Sequence, residues 1–526
     1  MMPARKASVT AVALAILAAA GCTVGPDFVA PLPELLDSRT FLDTGRPARA
    51  PVPILRRTTA AAPEAEWWRV FRDPLLTQLA SRIAAQNLDV QTATFKVAES
   101  RAQLGTAAAA AYPTINGTAS AYREQFSRNG LITLAGGTSA VTGGGSSGST
   151  ASITSPFESY TAGFDASWEL DLWGKVRRQV ETSKAQLDSS VEARRDTLVS
   201  SLAELARDYI QLRGVQEQIR VVQATIRVNN DLLSLTRSRQ VAGLQTGVDT
   251  ASASSNLESA RAQLPPLQQQ EVSQINAISL LLGEPPLALS QELIGAKRVP
   301  PVPPRIPIGV PADLIRRRPD VREAEANLHA AVAQIGVAVA QFLPAVTITG
   351  SPTFNALDPA KVFRASSLQY MNVGPSVSIP IFEGGRLKSN LLLQQATQQE
   401  KAVAYQKAVL QAWHDVVNAL TSLQTDQARR TRLSLQVGDA QRALDLSRVR
   451  YQQGVDTFTT VLQNSQTLLQ ARTNLAQATA TVSTDLVALY KALGGGWETS
   501  FPADGMPAVV DAVAALPTDT DPTGRD

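Results

Sequence analysis

The side chains able to do chemistry in this 526-residue chain are few and widely spaced. His329 and His414, the only two histidines, lie in helical stretches without a second ligand at metal spacing, and no Gly-rich phosphate loop or nucleophile motif accompanies them. Catalysis, metal binding and a cofactor are therefore not expected. Cys22, the single cysteine, directly follows Ala19-Ala20-Gly21 at the end of an apolar run, a position suited to lipid attachment, and it leaves no partner for an intramolecular disulfide. Asp165, Glu169 and Asp171 share a period of two, which places charge along one face of a strand. Asp249 and Asp456 follow Gly243 and Gly454 at two helix reversals, where each reads either as an N-cap or as charge at a constriction. Arg316 to Arg318 either binds an anion or pairs with nearby acids.

The carboxylates are positioned by a period-two stretch from Tyr160 to Leu172. Tyr160, Ala162, Phe164, Ala166, Trp168, Leu170 and Leu172 face one way, and Thr161, Gly163, Asp165, Ser167, Glu169 and Asp171 the other. Extended to Trp173 it measures about 43 Å at about 3.3 Å per residue, enough for a tilted strand to cross a bilayer with aromatics at both interfaces. A half-buried strand of a soluble sheet would alternate in the same way. A second, weaker strand runs from Thr114 to Tyr122, and Gly130 to Ser155, rich in Gly, Ser and Thr, reads as a flexible connection.

After Gly174 the period changes. Val191, Leu198, Leu205, Leu212, Ile219, Ile226 and Leu233 recur every seven residues, the mark of a long supercoiled helix. The neighbouring seam, Leu202, Tyr209, Gln216 and Gln223, is only partly apolar, so the stripe is narrow and suits the wall of a tube better than a solid core. With aromatic content of 5%, large compact cores are not expected. A net charge of +3 with dispersed Lys and Arg argues against nucleic acid. No apolar run reaches 18 residues, so any membrane crossing must use strands.

In chain order, residues 1–21 read as a signal peptide, with Arg5 and Lys6 ahead of the apolar stretch Val9 to Ala20. Residues 22–66 form an extended N-terminal segment, 67–282 and 320–493 two related units, 283–319 a Pro-rich connection and 494–526 a tail. The relation is an internal repeat. Asp89-Val90, Gly105 and Pro113 recur 231 residues later as Asp320-Val321, Gly336 and Pro344. Past the flexible loop the shift is 211, so Gly174-Lys175 matches Gly385-Arg386, Arg239 matches Arg450, and Gly243 matches Gly454. The ladder returns as Ala402, Val409, Val416, Leu423, Val437 and Leu444, broken at Arg430. Val373, Val377, Ile379 and Ile381 should face as Ala162, Ala166, Trp168 and Leu170 do, and Asp320 with Glu323 has capping-box spacing. The fold is therefore mixed α/β but mainly α, two tandem helix–strand–strand–helix units.

Four strands cannot close a membrane barrel and open edges are forbidden in lipid, so a membrane reading needs several chains, three of which supply twelve strands. Trp168-Glu-Leu-Asp-Leu-Trp-Gly-Lys-Val-Arg177, Gly309-Val-Pro-Ala-Asp-Leu-Ile-Arg-Arg-Arg-Pro-Asp320, Cys22-Thr-Val-Gly-Pro-Asp-Phe28 and Tyr451-x-x-Gly454-Val-Asp456 together resemble the TolC-type outer-membrane efflux channels, particularly the NodT-like lipoproteins. The resemblance implies a homotrimer with a twelve-stranded barrel in outer-membrane lipid, continued by a periplasmic helical barrel. It also implies a periplasmic adaptor and an inner-membrane transporter of the resistance-nodulation-division type as partners. Conduction would be passive. Family members often close the tip with acids just inside the return helix; counted from Tyr451 and Gly454 those positions are Thr460 and Gln463, both neutral here. A channel for protein secretion and a periplasmic coiled-coil stalk or adaptor are the other readings.

Overall fold

The structure, a computed structural model, describes residues 23–30, 58–59, 61, 64–124, 157–243, 246–295, 298–303, 306–308 and 317–501. Its principal elements are α1 (Pro74–Gln86), α2 (Leu88–Ala109), β1 (Thr114–Glu124), β2 (Phe157–Leu170), α3 (Lys175–Val241), α4 (Gly247–Ala262), α5 (Leu264–Leu281), α6 (Pro319–Ala340), β3 (Ala345–Ala356), β4 (Leu368–Ser378), α7 (Arg386–Gln452) and α8 (Phe458–Ala492). The chain forms two compact units. One contains the N-terminal stretch to Val29, Arg101–Ala185 and His329–Gln399; the other contains Ala30–Ser100, Gln186–Leu328 and the chain from Glu400 onward.

The first unit is built on a four-stranded antiparallel sheet in the order β1-β2-β3-β4. Register puts Ile115 opposite Ala166, Trp168 opposite Ile348 and Val346 opposite Val377, so the apolar sets of all four strands fall on one face. A bulge between Thr349 and Ser351 shifts the last pairing. Among the described residues, β1 and β4 each leave one edge unpaired.

The second unit carries two cores. The larger gathers Trp67, Trp68 and Phe71 from a short 3-10 helix, Leu76 and Ile83 from α1, Leu198 to Leu212 from α3, Ile278 from α5, Val416 to Leu423 from α7, and Leu486, Tyr490 and Trp497 from the C-terminal end. Trp67 stacks on Tyr490 with ring centroids 5.5 Å apart. This core corrects the expectation from composition. It is assembled from short pieces far apart in sequence, each with one or two large side chains, so no single stretch looks like a core. Around it α3 is buried nearly all round, including Arg213, which is 1% exposed and donates to the Leu293 and Gly295 carbonyls. Elsewhere the ladder behaves as a seam: Ile219 and Ile226 are half-buried.

Local signals place some helix ends. Asp73 accepts from the Leu75 and Leu76 amides with Pro74 in the first turn, the expected cap. The two long helices are equal at 67 residues, about 100 Å each at about 1.5 Å per residue. Their returns differ: α8 is continuous, whereas the first return breaks into α4 and α5 at Gln263, ahead of Pro265 and Pro266. Asp320 forms no capping box. It lies inside the first turn of α6 and its carboxylate receives Arg318.

Candidate functional site

The sheet presents two unlike faces. On one lie Ile115, Phe164, Trp168, Ile348 and Val377, all exposed despite their size. On the other lie Thr118, Ser120, Thr161, Asp165, Thr349 and Thr353, with the Ser120 and Thr161 hydroxyls in contact across strands and Thr118 donating to Asp165 at 3.4 Å. An exposed apolar face backed by a hydroxyl-rich one suits a wall between hydrocarbon and water. Asp165 and Glu169 sit on the polar side within β2. The strand ends at Leu170, two residues earlier than the alternation predicts, because Asp171 turns its carboxylate to the first amides of α3, accepting from Val176 at 3.1 Å and Arg177 at 3.0 Å. β4 likewise stops at Ser378, leaving Ile379 and Ile381 outside the strand.

Beside the β2–α3 turn, Thr23 to Val29 lies across the start of α3 and the His329–Gly336 stretch of α6 as a strap. The Val24 amide donates to the Trp173 carbonyl at 3.1 Å, and Trp173 Nε1 donates to the Pro344 carbonyl at 2.8 Å. Arg178, 3% exposed, gives hydrogen bonds to the Val24 carbonyl, Asp27 and Glu181. Phe28 stacks on His329, whose Nε2 is 2.9 Å from Glu181. Burial would push the Glu181 carboxyl up, but the hydrogen bonds from His329 and Arg178 outweigh it and hold it below the usual range. Gly25 at φ +92° crosses Gly336 so closely that a Cβ would sit 2.4 Å from the Gly336 Cα. Sequence reasoning missed this strap, since nothing in the spacing of Gly25 and Gly336 links them. The Cys22 assignment lies outside the described residues.

The helix reversals belong to the second unit. Gly243 and Gly454 adopt φ of +71° and +76°, and the second turn is a Schellman motif in which Gly454 N donates to the Tyr451 carbonyl and Val455 N to the Arg450 carbonyl. Neither aspartate is the N-cap. Thr246 and Thr457 take those positions; Asp249 lies in the first turn of α4, receiving the Thr246 hydroxyl at 3.3 Å, and Asp456 lies ahead of α8, bound to Arg450 at 2.8 Å. Tyr451 is 6% exposed, packed on Phe458 and beneath the Arg239 guanidinium at 4.5 Å. Arg239 thus joins the long helix of the first repeat to that of the second repeat. The repeat signalled it: its equivalent Arg450 has Asp456, but the matching position is Gln245. Thr460 is half-buried near Thr457 and Gln463 is exposed.

The arginines of the connection pair internally. Arg318 binds Asp320, Asp415 and the Ala492 carbonyl, and Arg317 binds Glu498 at 2.9 Å; Arg316 lies outside the described residues. A cavity of about 450 Å³ beside them is lined by Asp196, Asp415, Asp485 and Lys491 among others. Burial, then the neighbouring Asp426, pushes the Asp485 carboxyl up to about 7. Among the described residues no His, Cys, Asp and Glu group could hold a metal, and no helix is long and apolar enough to cross a membrane.

A sheet with an exposed apolar face and free edges, together with two long helices and their returns, defines the class of outer-membrane channels with a helical extension. The chain belongs to the outer membrane efflux protein family, whose model matches residues 79–284 and 310–495. It is 32% identical over 437 residues to the pyoverdine export outer membrane protein OpmQ of Pseudomonas aeruginosa, covering 82% of this chain and 88% of OpmQ. It is 29% identical over 508 residues to nodulation protein T of Rhizobium leguminosarum bv. viciae, covering 96% of each. The structure of the outer-membrane channel OprN superposes with a TM-score of 0.78 at 29% identity, covering 91% of this chain and all of OprN. The protein is thus an outer-membrane efflux channel of TolC-like fold and not an enzyme.

Proposed function

We propose that three copies close edge to edge into one twelve-stranded barrel, with the hydroxyl-rich face and Asp165 and Glu169 toward the lumen, continued by a periplasmic tube of the long helices. The reading rests on the sheet: its apolar face is exposed over all four strands, and its free edges need partners before they enter hydrocarbon. Acylation of Cys22 anchors the chain to the outer membrane. Small molecules, drugs among them, pass down the tube without energy input from this protein, which couples through a periplasmic adaptor to an inner-membrane transporter of the resistance-nodulation-division type. The turns at Gly243 and Gly454, with Asp249, Asp456, Thr460 and Gln463, form the tip and its constriction, and Tyr451 supports it from within. At the level of Thr460 and Gln463, both neutral, the constriction is one of hydrogen bonding, with Asp249 and Asp456 supplying charge nearby.

A photo-crosslinking residue at Gln463, followed by mass spectrometry of the captured proteins, tests tip and partners together. Capture of an adaptor encoded beside a resistance-nodulation-division transporter is expected. Capture of an adaptor for an ATP-driven exporter moves the function to protein secretion, and crosslinks confined to its own chain, in a protein extractable without detergent, overturn the channel reading.

A further inference from the structure

The strap of the first unit ends on that unit's single histidine. Phe28 lies flat on His329, with ring centroids 4.4 Å apart and planes 11° from parallel. Histidine is the side chain whose charge ordinarily changes between about pH 5 and about pH 8. Glu181 is held ionised by the hydrogen bonds it receives, and an ionised carboxylate only accepts, so His329 Nε2 is the donor across their 2.9 Å contact. The other Glu181 oxygen accepts from Arg178 Nη1 at 2.7 Å, and Arg178 Nη2 reaches the strap carboxylate Asp27 at 2.6 Å. The charged groups about the imidazole are therefore Glu181 and Arg178 from α3 and Asp27 from the strap, with Glu325 one turn back on α6 itself. Duplication made no second copy of this cluster. The equivalents of Arg178, Glu181 and His329 are Ser389, Leu392 and Ala98.

We infer that His329, Glu181 and Arg178 form a proton-responsive clasp for the Thr23–Val29 strap, which grips harder when His329 carries its second proton. With the strap away, Arg178 and Glu181 cancel, and a proton on His329 leaves the cluster with net positive charge. The docked strap adds the Asp27 carboxylate and the face of Phe28, so the same proton now neutralises the cluster and sets a cation over an aromatic ring. Strap and proton therefore favour each other by the same factor in both directions. Glu181, held below the usual carboxylate range, keeps its charge across the interval in which a histidine titrates. Asp27 is 88% exposed, so solvent screens its share, and the stacked ring carries most of an effect of about two- to fivefold. The clasp lies within one chain and does not depend on how copies assemble. Its consequence is that the segment adjoining Cys22 is held on the β2–α3 turn more firmly in acid surroundings than in alkaline ones.

Hydrogen exchange of the full chain in lipid nanodiscs reads the clasp at the Val24 amide, which the docked strap donates to the Trp173 carbonyl. After correction for the pH dependence of intrinsic exchange, protection at about pH 5.5 should exceed that at about pH 8 by about two- to fivefold. His329→Gln keeps a donor for Glu181 but cannot titrate, and its protection should be the same at both values. Phe28→Leu keeps apolar bulk without the ring and should lose most of the dependence, Asp27→Asn a smaller part. Equal protection at the two pH values in the unsubstituted chain overturns the clasp, and so does a dependence that survives His329→Gln. An amide unprotected at both values overturns the docked strap itself. Native mass spectrometry of the same sample reports the oligomer separately, so failure of the clasp and failure of the channel reading are told apart.

Discussion

The turn after β2 and the turn after β4 derive from one repeated unit and end in opposite conditions. After β2, Asp171 caps the helix, Trp173 bonds Pro344, and Gly174, at φ +79°, lies against Thr23 of the strap. After β4, Gly384 and Gly385 have positive φ with nothing near them, Glu383 and Arg386 pair in the open, and Ile381 and Phe382 project. Duplication copied the backbone turn but not its cover. The chain covers one junction itself and leaves the other exposed. The helix reversals show the same divergence: Tyr451 is buried at one, and its equivalent Gln240 is exposed at the other.

That asymmetry can be broken in steps. Tyr451→Ala should destabilise the tip by about 3 kcal/mol, as loss of a buried ring does, while Gln240→Ala stays within about 0.5 kcal/mol; denaturant unfolding checks both. Gly25→Val should eject the strap, because no space exists over Gly336. Its readout is hydrogen exchange at the Val24 amide, faster by about 100-fold, equivalent to about 2.7 kcal/mol. Gly174→Ala and Gly385→Ala carry the same left-handed strain of about 1–2 kcal/mol, but only the first meets Thr23, at 2.7 Å. The first should therefore cost about 1 kcal/mol more in the monomer, and a reversal in the assembled protein would show that the partner covers Gly385 more tightly than the strap covers Gly174. The smallest effect is on pH. Asp485 has Gln274 as its equivalent, so only the second repeat carries the raised carboxyl. A carboxyl raised on folding binds its proton better in the native state, so stability falls as pH rises from about 4 to about 7 and the loss is complete above 7. Asp485→Gln should flatten this slope and raise Tm at pH 8 by about 1–3 °C.

Much of this was legible from residues. Period-two alternation gave the strands their faces because one side of each is apolar throughout, and the seven-residue ladder announced helices too long for a globular domain. What stayed hidden was decided by contacts between distant residues. Asp171 alternates as a strand residue should, yet helix amides claimed its carboxylate. Asp249 and Asp456 have capping chemistry, but Thr246, three residues before the first, and Thr457, next to the second, hold the capping positions. Trp67, Trp68 and Trp497 lie in stretches with little pattern and meet only in the folded core. Arg239 was readable in part, since the repeat showed an arginine whose acid had been replaced.

The strap also sets a depth. One peptide bond, about 3.8 Å between Cα atoms, is all the slack between Thr23 and an acylated cysteine. Thr23 is seated on Gly174, at the point where strand gives way to helix. With Cys22 acylated as proposed, the acyl chain would work as a plumb line, tying the inner surface of the bilayer to the β2–α3 turn and removing vertical play from the proposed barrel. A spacer of a few residues between Cys22 and Thr23 would keep the lipid and lose the gauge.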